Sequence, residues 1–115
     1  MFNSLYNYAA KVERIVDGDT IYVTADLGFG VSKFLKLRLD SINTPEIRGD
    51  EREEGLKAKA FVESLIAPGD QVYIESYKDG GFGRYAAKVW YSNEENLWLS
   101  LNDHLVDSGF AEVVS

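Results

Sequence analysis

The chain has no cysteine, one histidine, two prolines and one methionine in 115 residues. Without cysteine there is no disulfide, no thiolate metal site and no cysteine nucleophile. With His104 alone, a multi-histidine zinc site cannot be built within one chain. No stretch approaches the ~18 consecutive apolar residues of a membrane-spanning helix, so no membrane association is expected. The first residues, Met-Phe-Asn-Ser-Leu-Tyr-Asn-Tyr, lack the basic region and apolar core of a secretory signal. They set the expectation of an intracellular (cytoplasmic) protein, although the mature form of a secreted one would read the same. Basic residues are also short, with 12 Lys and Arg against 19 Asp and Glu and a net charge of −7. General nucleic-acid binders carry a basic face that releases counterions. An acidic chain can still act on nucleic acid where a bound cation and a few arginines reverse the local potential. Contact with a strand is therefore expected to be weak and cation-dependent.

What is present suits one packed domain over residues 1–115, with residues 1–8 as a loose lead-in. The hydrophobic fraction is 45%, enough for a core of its own. A first strand is predicted over Ala9–Val16, with Val12 and either Ile15 or Val16 supplying apolar contacts. Asp17-Gly18 signals a turn. Thr20–Ala25 alternates, with Ile21 and Val23 on one face and Tyr22 and Thr24 on the other. Lys33–Ile42 is the clearest strand, with Leu35, Leu37 and Leu39 inward and Lys36, Arg38 and Asp40 outward. The glycine-rich connection at 27–30 lacks a phosphate-loop lysine and reads as a plain loop.

Asp50–Ile66 reads as a helix, with Asp50 as N-cap, Glu53 as its capping-box partner, and Leu56, Ala58, Phe61, Val62 and Leu65 as the buried stripe. Pro68-Gly69 ends it. Further strands are predicted over Gln71–Tyr77 and Arg84–Tyr91, with Leu97–Leu99 pairing back. Ser100 caps a last helix that Gly109 stops. Phe110–Val114 is extended. This order predicts an α+β fold, mainly β: a small five-stranded OB-type barrel packed with two to three helices.

The candidate chemistry lies between Arg14 and Glu46. Asp17 and Asp19 flank a glycine, Arg38 sits in an alternating strand, and Glu46 follows Pro45. Carboxylates hold a hard cation, a guanidinium neutralises phosphate oxygens, and a glutamate can handle a proton of water. Asp-Gly-Asp alone is most often a turn. A strand arginine is often a cross-strand ion-pair partner.

These pieces resemble the staphylococcal nuclease (thermonuclease) family, whose pattern is roughly Val-x-Asp-Gly-Asp-Thr, then Arg-Leu, then Asp-x-Pro-Glu. The likeness continues at Phe82-Gly83-Arg84 and from Leu101 to Ala111, so it runs over nearly the whole chain in the family's order. The resemblance implies a metal-dependent endonuclease of DNA or RNA that leaves a 5′-hydroxyl and a 3′-phosphate. Single-stranded nucleic acid is the expected partner. It implies one divalent cation, Ca2+ or Mg2+, held by Asp19 with Asn43 and the Thr44 carbonyl. Asp17 and Asp40 are further metal candidates, Asp17 more simply as a neighbour of the ligand. Arg38 and Arg84 would stabilise charge in the transition state, and Glu46 would orient or deprotonate the attacking water. Phe82 and Tyr85 are the candidate substrate contacts, ahead of Tyr22, Tyr77 and Tyr91, which read first as packing residues. The acids from Glu51 to Glu54 read as a solvated first helical turn, and His104 as a structural or surface residue.

The chain departs from the family pattern at Asn43, where aspartate is usual. Asparagine keeps a carbonyl oxygen for a hard cation but removes one negative charge, so metal affinity should fall. Three outcomes stay open: weak metal binding with turnover, a preference for magnesium, or an inactive site, which would leave a nuclease-like domain that binds nucleic acid or protein. Gly80-Gly81 is a second departure. A calcium module without nucleic acid accounts for the acids but not for the two arginines. Nothing in the sequence fixes an oligomeric state.

Overall fold

The structure is a computed structural model that describes residues 6–77 and 85–114. Its elements in chain order are β1 (Asn7–Asp17), β2 (Thr20–Gly28), β3 (Val31–Leu39), β4 (Ile42–Asn43), a single 3-10 turn (Gly49–Glu51), α1 (Arg52–Leu65), β5 (Gln71–Tyr77), β6 (Tyr85–Ser92), β7 (Trp98–Ser100), α2 (Leu101–Asp107) and β8 (Glu112–Val113). β1 begins two residues before its predicted start, inside the expected lead-in.

β3, β2, β1, β5 and β6 pair in that order, and a parallel pairing of Leu37–Leu39 with Tyr85–Ala87 closes them into a five-stranded barrel. The predicted α+β, mainly β barrel of OB type is the fold observed. β7 extends β6 outside the ring, its Leu99 opposite Tyr91. The barrel interior is filled by the inward residues of the alternating strands: Val12 and Ile15, Ile21 and Val23, Leu37 and Leu39, Val72 and Ile74, and Val89. Ile15 is the buried residue of the Ile15/Val16 pair, because register shifts interrupt β1 between Val12 and Arg14 and again between Ile15 and Asp17. Each shift adds a residue to one strand and resets which side chains face the core. The first turns Arg14 outward, opposite Tyr22, and the second brings Asp17 opposite Thr20.

The predicted strand Lys33–Ile42 is two strands. β3 stops at Leu39 and Ser41 adopts a left-handed φ of 64°, so Ile42–Asn43 leave β3 and pair with β8 instead. Such a φ is uncommon outside glycine and marks a sharp turn.

α1 departs from the expected helix at its start and along its face. Arg48 is extended, Gly49 has a φ of 69°, and Asp50 lies inside the 3-10 turn. Glu51 occupies the N-cap position and makes no capping bond with its side chain, so the Asp50–Glu53 capping box does not form. Leu56 is exposed, while Gly55, Ala58 and Val62 are the buried residues. The helix lies so close to the chain at Gly55 that this side, rather than the bulkier Leu56 side, faces inward. α2 follows the prediction closely. Ser100 accepts from the Asp103 N–H at 3.1 Å. At the other end Gly109 (φ 83°) reverses the chain, with Phe110 N–H bonding Leu105 O and Gly109 N–H bonding Val106 O. This turn carries β8 back onto β4, so Glu112 faces Asn43 across the pair.

Candidate active site

Asp17, Gly18 and Asp19 form the tight connection between β1 and β2. Asp17 Oδ1 accepts from the Asp19 N–H at 3.1 Å, an Asx turn that shapes the corner. Gly18 is required by space: a Cβ there would lie 2.9 Å from both Ala58 Cβ and Thr44 Oγ1. The corner is thus clamped between α1 and the Thr44 segment. Asp19 is buried, and its backbone oxygen accepts from Leu39 N–H at 2.8 Å, which ties the corner to the end of β3.

Each Asp19 carboxylate oxygen has a defined role. Oδ1 accepts from Thr20 Oγ1 at 3.1 Å, and Oδ2 accepts from the Thr44 N–H at 3.0 Å. Oδ2 also lies 3.2 Å from Arg38 Nη1. Register explains that contact, since Arg38 pairs with Thr20, the residue after Asp19. The other arm of the guanidinium, Nη2, donates to Asn43 Oδ1 at 2.6 Å. Asp19, Arg38, Asn43 and Thr44 are therefore one hydrogen-bonded unit drawn from three separate segments.

Burial raises the Asp17 carboxyl, and the hydrogen bond to Asp19 and the charge of Asp19 raise it further, to about 6. Burial pushes Asp19 up as well, but hydrogen bonds from Asp17 and from the Thr44 N–H, with the Arg38 charge, outweigh it and hold Asp19 below the ordinary carboxylate value. The two acids thus divide their roles: Asp17 retains a proton longer, and Asp19 carries the negative charge.

Glu46 is exposed and lines a cleft of about 210 Å³ with Asn43, Thr44, Glu51 and Glu112. Its backbone is fixed by α1, because a Cβ at Gly55 would lie 2.1 Å from Glu46 O. Asp40 is placed elsewhere. It accepts from Ser41 Oγ at 2.9 Å and lines a separate cleft with Tyr77, Lys88 and Asn102. Tyr85 opens β6 beside Leu37, and Lys33 Nζ lies 5.2 Å from its ring centre. Arg84 and Phe82 lie outside the described residues.

The family resemblance implies a divalent cation. Asp19, the Asn43 amide oxygen and Thr44 offer hard oxygen donors, which is the chemistry that Ca2+ and Mg2+ take. Thr44 Oγ1 is buried without a hydrogen-bond partner. The donor types fit such an ion, but the charge is low, because Asp19 and Asn43 already share the Arg38 guanidinium. Among the described residues no group of three His, Cys, Asp or Glu side chains is arranged to hold a metal.

Two residues that sequence reading passed over position this site. From sequence Gly18 marks only a turn, and Gly55 is one glycine inside a helical pattern. A glycine inside a helical pattern is the available signal, since it costs stability unless something packs against it.

A small closed barrel whose corner acids meet a strand arginine is the architecture of a nuclease-type domain. The model of the staphylococcal nuclease homologue family matches residues 36–115, more than half of the chain, and the chain belongs to that family. It is 30% identical over 129 aligned positions to an uncharacterized protein of Methanocaldococcus jannaschii, covering 93% of this chain. It is 29% identical over 111 positions to Endonuclease YhcR of Bacillus subtilis, covering 90% of this chain. The chain spans 59% of the first relative and 9% of the second. Among the described residues no helix is long and apolar enough to cross a membrane.

Proposed function

We propose that this chain is a divalent-cation-dependent endonuclease that hydrolyses phosphodiester bonds of DNA or RNA. The observation that carries the reading is the Arg38 guanidinium, held between Asp19 at 3.2 Å and Asn43 at 2.6 Å. A guanidinium stays charged and presents a planar fork to two oxygens, which matches a phosphate. Because the equatorial oxygens gain charge on the way to the transition state, a fixed donor there lowers the barrier selectively. Arg84, in the family motif, is the second such donor. Glu46, exposed two residues beyond Thr44 and anchored through its backbone, is free to orient a water or accept its proton. Water adds to phosphorus as the bond to the 5′ oxygen breaks, giving a 3′-phosphate and a 5′-hydroxyl. Asp19, Asn43 and Thr44 would hold the Ca2+ or Mg2+ ion, which would supply Lewis-acid stabilisation of phosphate charge. The family and the endonuclease relative support this reading.

A second reading, a nuclease-like domain that binds nucleic acid without cutting it, is favoured by Asn43, whose oxygen is engaged by Arg38. The test is cleavage of a labelled single strand in Ca2+, Mg2+ and EDTA, with Arg38→Ala and Glu46→Gln alongside. The nuclease reading expects cleavage that disappears in EDTA and in both variants. No cleavage by the wild type, with cleavage gained on Asn43→Asp, would select the binding reading.

A further inference from the structure

The outer face of the barrel carries a stack of side chains beside the candidate site. Arg14 on β1 lies over the Tyr22 ring, 5.1 Å from its centre. Tyr22 on β2 stacks on Phe34 of β3, with ring centres 5.2 Å apart and planes within 14°. Phe34 ends the series and is 61% exposed, which leaves the ring face opposite Tyr22 open. Burying an aromatic is worth more than exposing one, so an exposed ring at the end of an ordered stack is a place for another flat group.

Cations border the stack on the same face. Alternation along β3 puts Phe34, Lys36 and Arg38 on one side, and Lys36 Nζ is 6.0 Å from the Tyr22 ring centre. Glu13, the acid in this stretch of β1, is neutralised by Lys11 at 3.7 Å and bound by Thr24 Oγ1. A chain of net charge −7 therefore keeps Arg14 and Lys36 beside an open aromatic, in line with Arg38, whose charge is shared with Asp19. From Phe34 to Arg38 the strand runs four residues, about 14 Å. That is room for a short extended run of nucleotides rather than one base. β2 pairs with β3 along this stretch, but β6 pairs with its other edge only at Leu37–Leu39, so among the described residues no strand pairs with that edge beside Phe34.

We propose that the Arg14–Tyr22–Phe34 stack and Lys36 form a subsite for unpaired nucleotides flanking the phosphate held at Arg38. The inference rests on the nuclease reading for what happens at Arg38. A base continues the stack on Phe34, and the phosphate backbone follows Lys36 to Arg38. Paired bases are already stacked on each other and cannot offer a face to Phe34, so duplex is excluded from the subsite.

The test is fluorescence anisotropy of a labelled single strand of about ten nucleotides, in EDTA so that it stays intact. A matching duplex, Phe34→Ala, Phe34→Tyr and Lys36→Gln complete the set, and cleavage is assayed separately with Ca2+. Phe34→Ala is expected to weaken strand binding about tenfold or more, as for loss of one stacked base. Phe34→Tyr restores binding, and Lys36→Gln weakens it while reducing its salt dependence. Phe34 is exposed, so melting temperatures should agree among the variants. If the wild type cleaves but Phe34→Ala and Lys36→Gln bind the strand as it does, the subsite is wrong and the nuclease reading stands. If Phe34→Ala loses binding while the wild type cleaves nothing, the subsite stands and the nuclease reading fails. Duplex bound as tightly as single strand overturns the subsite.

Discussion

Gly55 of α1 lies directly against the backbone of Glu46: a Cβ at residue 55 would stand 2.1 Å from the Glu46 oxygen and 2.4 Å from its carbonyl carbon. The two residues are nine apart in sequence, and their contact sets how the Glu46 segment meets the helix. Main-chain atoms cannot step aside as a flexible side chain can. Gly55→Ala must therefore move either α1 or Glu46, against the small gain in helix propensity. We expect the variant to lose about 1–3 kcal/mol of stability, as for overpacking. At temperatures where it remains folded, cleavage should fall through kcat. Urea unfolding with single-turnover kinetics checks both. An unaltered rate in a folded variant would show that the position of Glu46 does not matter to the reaction.

Arg38 engages the same two oxygens that a cation would use, on Asp19 and Asn43. Removing the guanidinium should therefore have opposite effects on binding and turnover. Arg38→Ala is expected to bind Ca2+ severalfold more tightly, yet to cleave about 10²–10³-fold more slowly, the usual loss for one transition-state donor. Asn43→Asp should also tighten Ca2+ binding, by restoring a carboxylate, without the loss in rate. Calorimetric titration of Ca2+ into each variant reads the affinities independently of activity. Weaker Ca2+ binding in Arg38→Ala would mean that the arginine orders the site rather than competing for it.

The barrel was legible because its strands alternate. Ile21 and Val23, or Leu37 and Leu39, declare a buried face without help from distant residues. α2 was legible because Ser100 and Gly109 act on their own neighbours. The start of α1 was not, since Asp50 and Glu53 have capping-box spacing but Gly49 and the 3-10 turn place Asp50 inside the turn rather than at the cap. The exposure of Leu56 follows from Gly55 touching Glu46, a contact that helical periodicity cannot anticipate. The break at Ser41 is of the same kind, because β8 draws Ile42 and Asn43 out of line. For the candidate site, motif order pointed to Asp19, Arg38 and Asn43. Their mutual bonding depends on the register of β2 with β3, which sequence does not print. Asp40 shares the outward side of the predicted strand with Arg38 but faces another cleft, because the chain turns immediately after it.

Asp17 makes the fold sensitive to pH. Its ordinary value is 3.8 and its folded value about 6, raised by burial and by Asp19. Between those values the folded state holds a proton that the unfolded state has lost. The contribution of this group is therefore best below pH 4, declines as pH rises to about 6, and stays at its least favourable above that. Asp19, held low, acts in the opposite sense: its contribution is present above pH 4 and is lost as acid protonates it in the folded state. Asp17→Asn should remove the decline between pH 4 and 6 and add about 1 kcal/mol at pH 7, after allowance for solvent screening of a half-buried group. Urea unfolding from pH 4 to 8 gives the two curves. A variant less stable than wild type at pH 7 would contradict this account.

Asn102 holds the far end of the barrel closed. Its Oδ1 accepts from Val89 N–H at 3.0 Å, and its Nδ2 donates to Asp40 O at 3.1 Å and Ala87 O at 3.2 Å. The side chain is buried, and Ala87 lies in the parallel pairing that joins β3 to β6. One amide thus ties α2 to β6 and to the exit of β3, just before the turn that leads to Asn43. Asn102→Leu would leave an N–H and two carbonyls short of a partner, each costing about 1–3 kcal/mol where no water can reach it. Part of that loss is offset because Ala87 O also accepts from Asp40 N–H at 2.8 Å. We expect a net loss of about 3 kcal/mol. Asn102→Asp should lose at least as much at neutral pH, since it keeps the acceptor for Val89 but turns a buried carboxylate oxygen towards the Asp40 and Ala87 carbonyls. Hydrogen exchange should show the loosening first at Val89 and Asp40, ahead of the β1–β2 amides. Equal loosening across the whole barrel would mean that Asn102 contributes only to global stability and does not specifically fasten this junction.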